Sequence, residues 1–316
     1  MVELNTKPSV DREAKYPSNS ASLATRITTL LIISVPLVCV VAAPFCVWRW
    51  GFHWPDLYLM IGMYLVTALG ITVGFHRLFV HRSFETFLWV KVIWAILGSM
   101  AVQGPLLKWV GMHRWHHQHS DTPADTHSPQ HGGSGITGLL RGIWHAQIGW
   151  LFDAEPHGLD RYTADLTSIK AIRFINALFP LWVVLGLLIP AVLGGLITQS
   201  WMGVLTGFFW GGLVRVFLVH HVTWSVNSAC HLWGRKPFKS DDESRNNALF
   251  GILALGEGWH NTHHAFPTSA RHGLAWWEID LSYWVIRTMA ILRLAWNIKV
   301  PTPRSQSKKR RTVASA

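Results

Sequence analysis

The sequence predicts an all-α integral membrane protein, with four transmembrane helices beneath a cytosolic helical cap, and three observations carry that prediction. Half of the 316 residues are hydrophobic and only 14% are charged, a balance that puts a membrane class ahead of a soluble one. Charge is absent from residues 27–48, 57–75 and 174–214. Histidine is concentrated in the polar segments that follow these runs.

A bilayer core takes about 20 helical residues, so the first two runs are single spans and the third, 41 residues long, is a hairpin of two. Its turn is expected near Gly194-Gly195 and Gln199-Ser200, where small and polar residues permit a reversal. The spans then fall at about 27–48, 57–75, 174–196 and 201–219, with the cap built from 76–173 and 220–300. One domain over 27–300 follows, between a polar cytosolic tail at 1–26 and a basic disordered tail at 301–316. The Lys308-Lys309-Arg310-Arg311 run of that tail is expected to rest near anionic lipid.

The net charge of +11 bears on orientation more than on partners. With paired spans, both termini and 27 of the 28 Lys and Arg residues share one side, which the positive-inside rule makes cytoplasmic. No nucleic-acid partner is needed to explain the basic pI. The 26 polar residues before the first run argue against a cleavable signal peptide. Cys39, Cys46 and Cys230 offer neither a disulfide framework nor CxxC metal spacing.

In chain order, the first two spans are joined by a segment in which Trp48, Trp50 and Trp54 suit the headgroup layer and His53 is interfacial, not a ligand. The second span runs into His76. His76 and His81 lie five apart, about 140° around a regular helix, so they either serve different metals or straddle a helix end. One shared mononuclear site is the less natural arrangement. The 16-residue apolar stretch between Lys91 and Lys108, broken by Gly104-Pro105, is short for a crossing. A crossing there would also part the histidine clusters, so it reads as an interfacial or re-entrant helix that delivers His113.

His113-Arg114-Trp115-His116-His117 puts imidazoles at i, i+3 and i+4, on one helix face, and His260-Asn261-Thr262-His263-His264 repeats the spacing. Between them, His119, His127, His131, His145 and His157 read as loop residues or outer hydrogen-bonding groups. Asp121 and Asp125 are candidate acceptors for ligating imidazoles. Beyond the fourth span, His231 in Asn227-Ser228-Ala229-Cys230-His231 stands level with His76 and is a candidate ninth ligand. Residues 276–296 carry an amphipathic pattern expected to lie as a helix at the interface.

Eight or nine imidazoles exceed the demand of one ion, since structural zinc takes four ligands, so two metals fit better. Imidazole alone does not choose among zinc, copper, iron and nickel. The setting narrows the choice: a centre at the membrane surface over an apolar bundle points to a lipid substrate, and attack on an unactivated C–H bond needs redox iron and dioxygen. Carboxylate di-iron bundles use two ExxH motifs. This chain has one, Glu257 to His260, so the expected site is all-nitrogen, with Glu257 supporting an imidazole from outside.

In these boxes the chain resembles the membrane fatty acid desaturases, specifically the stearoyl-CoA (delta-9) branch, in a bacterial form without a fused b5-type cytochrome. HxxxxH at 76–81, HRWHH at 113–117, NSACH at 227–231 and GEGWHNTHH at 256–264 follow that family's order over about residues 57–275. The resemblance implies a mushroom of four membrane helices under a cap that holds two iron ions. Its ligands would be His76, His81, His113, His116, His117, His231, His260, His263 and His264, with Asn227 acting through water.

The implied reaction removes two vicinal hydrogens from a saturated acyl-CoA, using dioxygen and two electrons, to leave a cis double bond, with delta-9 the family expectation. Electrons would come from a separate ferredoxin, or a b5-type cytochrome with its reductase, and the setting would be a bacterial cytoplasmic membrane with the site on its cytoplasmic face. Residues 103–112 offer fewer polar and basic groups than animal acyl-CoA members carry before the second box, which keeps a membrane glycerolipid as the alternative substrate. A related di-iron lipid hydroxylase is a weaker alternative. A histidine-lined metal transporter fits less well, because the spans are nearly bare of ionisable residues. Tyr64, twelve residues before His76 and so about 18 Å deeper, is a candidate floor for the acyl tunnel.

Overall fold

The structure, a computed structural model, describes residues 21–311; the ends of both expected tails, 1–20 and 312–316, lie outside the described residues. Among the described residues, four helices are long and apolar enough to cross a membrane: Leu23–Trp50, Trp54–Val80, Phe179–Thr198 and Trp201–His231. The protein is therefore an all-α membrane protein with four spans, as the uncharged runs require. The first span opens where Ser22 accepts a hydrogen bond from the Thr25 N–H at 3.2 Å and closes at Gly51, whose φ of +84° no longer fits a helix. It is peripheral, with 11% of its apolar window buried against 44% for the second span and 50% for the fourth.

The third span starts at Phe179 and not at 174, because Pro180 opens a new helix in its first turn. A separate short helix, Lys170–Ala177, precedes it. The turn into the fourth span falls at the second of the two expected places, with Gln199 in the left-handed region at φ +51° and Ser200 capping the next helix. The Gly194 pair serves packing instead: a Cβ on Gly194 would meet the Gly203 carbonyl at 2.1 Å, so the hairpin closes only with glycine there.

The apolar stretch after Lys91 does not cross. Leu88–Ser99 is a 12-residue helix packed on the lower part of the second span. A Cβ on Gly70 would meet the Gly98 backbone at 2.3 Å, which is how closely the two approach. Its Leu88, Trp89 and Ile93 stay exposed, as befits a lipid-facing side. The chain then turns through Val102 (φ +63°) and Gly104 (φ +98°) into Leu106–His119, the helix that carries the second histidine box.

Two stretches differ from expectation in the cap. The amphipathic pattern at 276–296 yields a shorter helix, Leu281–Ile291, since Asp280 caps it by accepting from the Tyr283 N–H; Ala295–Trp296 instead pairs with Glu85–Thr86 as a two-residue antiparallel ladder. The basic tail is not disordered from 301 onward. Pro303–Lys309 is a helix capped by Thr302, and the chain after it pairs with 237–239 through Lys239 N–H to Lys309 O at 2.7 Å and Arg311 N–H to Pro237 O at 2.9 Å. Lys309 also donates to the Ala265 carbonyl at 2.6 Å. These contacts tie the tail to the third box.

Candidate metal centre

The second span changes winding before it reaches its histidines. Gly70–Val80 is a π-helix, the i→i+5 form found most often at functional sites. His81 donates its N–H to the His76 carbonyl at 3.1 Å, closing one such turn. Residues five apart are therefore stacked, and the two imidazole centroids lie 4.7 Å from each other. The 140° separation of a regular helix does not apply here. His76 and His81 straddle the helix end, the second of the two arrangements their spacing allows, and their donor atoms fall in one group, which regular-helix spacing makes the less natural outcome.

Nine imidazoles gather into two adjacent groups. His76, His81, His113, His117 and His263 form one, and His116, His231, His260 and His264 the other; within each group the donor atoms all lie within 4.8 Å of one another. Both HxxHH boxes serve both groups. In the second box His113 and His117, at i and i+4, go to the first group while His116 turns to the second. In the third box the division is reversed: His260 and His264 pair in the second group and His263 crosses to the first. His117 and His264 bring the groups together, with centroids 4.5 Å apart.

The nitrogen spacings fit metal ligation. His76 Nε2 to His263 Nε2, His113 Nε2 to His117 Nε2 and His231 Nε2 to His260 Nε2 are each 3.1 Å. Nitrogens that share an ion at about 2.1 Å stand about 3 Å apart. His81 Nε2, His116 Nε2 and His264 Nε2 are buried without a hydrogen-bond partner in the structure, a costly state for a polar atom unless it has something to bind. Burial first, then neighbouring imidazoles, hold His81, His113, His117, His260 and His263 well below the usual histidine range. They are neutral, the form that ligates.

Outer carboxylates orient four of the rings. His76 Nδ1 donates to Glu257 at 2.6 Å, His116 Nδ1 to Asp125 at 3.0 Å, His231 Nδ1 to Asp121 at 2.8 Å and His264 Nδ1 to Asp242 at 2.5 Å. Each bond places the proton on Nδ1 and leaves Nε2 free to bind. Against their burial, which would raise them, the carboxyls are held low by the facing imidazoles: Asp121 at about 2, and Asp125, Asp242 and Glu257 below their ordinary values. His116 is raised: burial lowers it, but Asp125, with Asp121 and Asp242, more than offsets that.

Sequence reasoning singled out Asp121, Asp125 and Glu257 but missed Asp242, which lies 22 residues from its partner in a loop with no periodicity. It also missed His272 and Asp280. His272 Nδ1 sits 3.3 Å from Glu257, and Asp280 binds the buried Arg77 guanidinium that also clamps Glu257. His127, read as a loop or outer group, is buried beside His116, 3.9 Å from Asp125.

A cavity of about 660 Å³ runs beside both groups, with His76, His113, His260, Asn227 and Tyr64 in its wall. The Tyr64 hydroxyl donates to the Leu253 carbonyl at 2.6 Å, which holds the ring in place. His53 stays exposed at the opposite end of the second span, away from every group.

The model of one family, described as fatty acid desaturase, matches residues 49–296. The chain belongs to the fatty acid desaturase family. It is 43% identical over 299 residues to the hex-5-enoyl-[acyl-carrier protein] acetylenase of Moorena producens, covering 94% of this chain and 93% of that one. It is 41% identical over 262 residues to an sn-1 stearoyl-lipid 9-desaturase of Synechocystis, covering 82% and 76%. A delta-9 acyl-lipid desaturase of Arabidopsis thaliana is 37% identical over 269 residues, covering 83% and 80%. This desaturase is accordingly a membrane oxidoreductase of lipid metabolism that introduces a double bond into a fatty acyl chain with dioxygen. Its histidine groups are compatible with a metal site.

Proposed function

We propose that the desaturase inserts a cis double bond at the delta-9 position of a saturated acyl chain carried on a membrane glycerolipid. The observation that carries this reading is the cavity, which joins residues of the membrane spans to both histidine groups and has a volume typical of small-molecule sites, about 300–1,000 Å³. Its wall includes Thr25, Thr28, Thr29 and Ile32 of the lipid-facing first span, so a chain could enter from the bilayer. Among the described lining residues Lys108 is the one lysine or arginine, and it is already paired with Glu155 at 2.5 Å. Coenzyme A carries several phosphate charges that need cationic partners, and this wall offers few. The printed names of the Synechocystis and Arabidopsis relatives support a lipid carrier. A carrier-protein thioester is the second reading, favoured by the name of the Moorena relative.

Nine imidazoles would hold two iron ions, five around one and four around the other, with Asn227 completing the smaller group through a water. Bound there, iron would supply the dioxygen chemistry that side chains lack. The chain's own part is placement. Glu257, Asp125, Asp121 and Asp242 hold the Nδ1 protons. The apolar wall excludes water, and Tyr64 closes the deep end, so that one carbon pair stands beside the histidines. Two electrons per double bond come from a separate ferredoxin, or a b5-type cytochrome with its reductase. The 27–300 domain sits in a cytoplasmic membrane with the histidines on its cytoplasmic face.

The test is a labelled-acetate pulse in cells expressing the chain beside a His116→Ala control, with products resolved by gas chromatography–mass spectrometry. A new cis-delta-9 monoene appearing first in intact glycerolipids, and absent from the control, is expected. Labelled monoene appearing first in acyl thioesters contradicts the lipid carrier, and a hydroxy acid contradicts desaturation.

A further inference from the structure

Arg77 and Arg215 are both fully buried in helices that cross the membrane, but their partners differ. Arg77 meets two carboxylates, Glu257 and Asp280. Arg215 meets none among the described residues. Its guanidinium donates to three carbonyls from three segments: Nε to Gly211 at 3.1 Å, Nη1 to Met100 at 2.9 Å and Nη2 to Gly186 at 2.7 Å. A cation inside a span is costly and ordinarily marks a functional requirement.

Met100 is where the Leu88–Ser99 helix ends. A helix leaves its last carbonyls unpaired, and in an apolar layer no water can meet them. Arg215 takes the Met100 carbonyl. His220 donates from Nε2 to the Ala101 carbonyl at 3.0 Å, and Thr223 accepts from the Gln103 amide at 2.9 Å. Three residues of the fourth span thus grip 100, 101 and 103 in order. Between them Val102 is buried with φ +63°, a conformation that a β-branched residue avoids and that only its surroundings can impose.

This loop is also a wall of the substrate cavity. Val102, Gln103 and Pro105 line it, and the helix that follows without a break contributes Trp109 and His113. A shift of the loop would therefore move the wall against the first histidine group. We propose that Arg215, with His220 and Thr223, is a positioning residue that sets the height of the 100–105 loop and so decides which carbon pair of the acyl chain faces the histidines. The proposal rests on the desaturase reading of the cavity. Arginine is required because its planar fork sends diverging donors to three carbonyls, whereas a lysine ammonium is a point charge on a flexible stem.

The test measures double-bond position, chain length and membrane-inserted protein for the wild-type chain and for Arg215→Lys, His220→Leu, His220→Gln and Thr223→Val. A displacement of about 1 Å can change a rate about 10²-fold, so Arg215→Lys is expected to raise the ratio of off-position to main isomer at least about tenfold. His220→Leu and Thr223→Val shift that ratio in the same direction by less, and His220→Gln, which keeps a donor, restores it. A merely structural role lowers inserted protein and total product together and leaves the isomer ratio unchanged; that result in every variant that inserts overturns the proposal. Thr223→Val removes one hydroxyl at constant volume and carries the test if Arg215→Lys does not insert. Unsaturated product from the wild-type chain verifies the desaturase reading separately, so the two failures are distinct.

Discussion

The two histidine groups are built from the same boxes but supported differently. In the four-imidazole group three rings donate to carboxylates, Asp125, Asp121 and Asp242. In the five-imidazole group one ring does so, His76 to Glu257, and that carboxylate is itself matched by Arg77. The group with fewer nitrogens thus has the greater negative charge around it. Carboxylates behind imidazoles make them better donors and fix their orientation, so in the proposed two-metal reading the outer charge would offset the smaller number of nitrogens. His260 of that group and Asn227 both line the cavity.

That contrast can be broken outright by removing one imidazole from either group. His263→Ala and His116→Ala are expected to abolish activity alike and to leave less than the full metal content, as read by inductively coupled plasma mass spectrometry; an active His116→Ala protein would remove the four-imidazole group from the account. The contrast is sharpened by isosteric changes to the carboxylates. Asp121→Asn, Asp125→Asn and Asp242→Asn should each cost about 10–100-fold in metal affinity at the four-imidazole group alone, seen as selective loss of one metal per chain during chelator titration. Glu257→Gln should spare that group and loosen the other. Equal loss from both groups in all four variants would show that the outer charge does not discriminate.

Smaller effects test the surroundings. If Tyr64 is the proposed floor, Tyr64→Ala, which removes the bond to Leu253, should shift the product toward longer chains; an unchanged profile would exclude that role. Lys309→Met breaks the tie between the tail helix and the third box, where the ammonium also lies 5.3 Å from the Phe266 ring. Such contacts are worth about 1 kcal/mol, so a small fall in thermal stability with unaltered double-bond position is expected. A changed product would place the tail in the site.

Where the sequence was legible, the signal was local. The HxxHH boxes announce themselves because i, i+3 and i+4 share a helix face, and the spans because charge is absent for long enough. For His76 and His81 the spacing left two arrangements open, different metals or a straddled helix end, because it is measured on a 3.6-residue helix and the chain there is wound in π form. Asp242 and Arg215 escaped because their partners are distant, 22 residues away for His264 and 115 for Met100. The tail was taken as disordered because its charge was legible and its backbone pairing with 237–239 was not.

The measurement that bears most directly on the account is the metal content of the purified, iron-reconstituted chain, beside Asp242→Asn and Glu257→Gln. The account predicts two irons per chain for the parent protein and, under mild chelation, one retained iron in each variant, with different spectra because different groups survive. One iron in the parent, or identical spectra from the two variants, would contradict two groups divided five and four across the shared boxes.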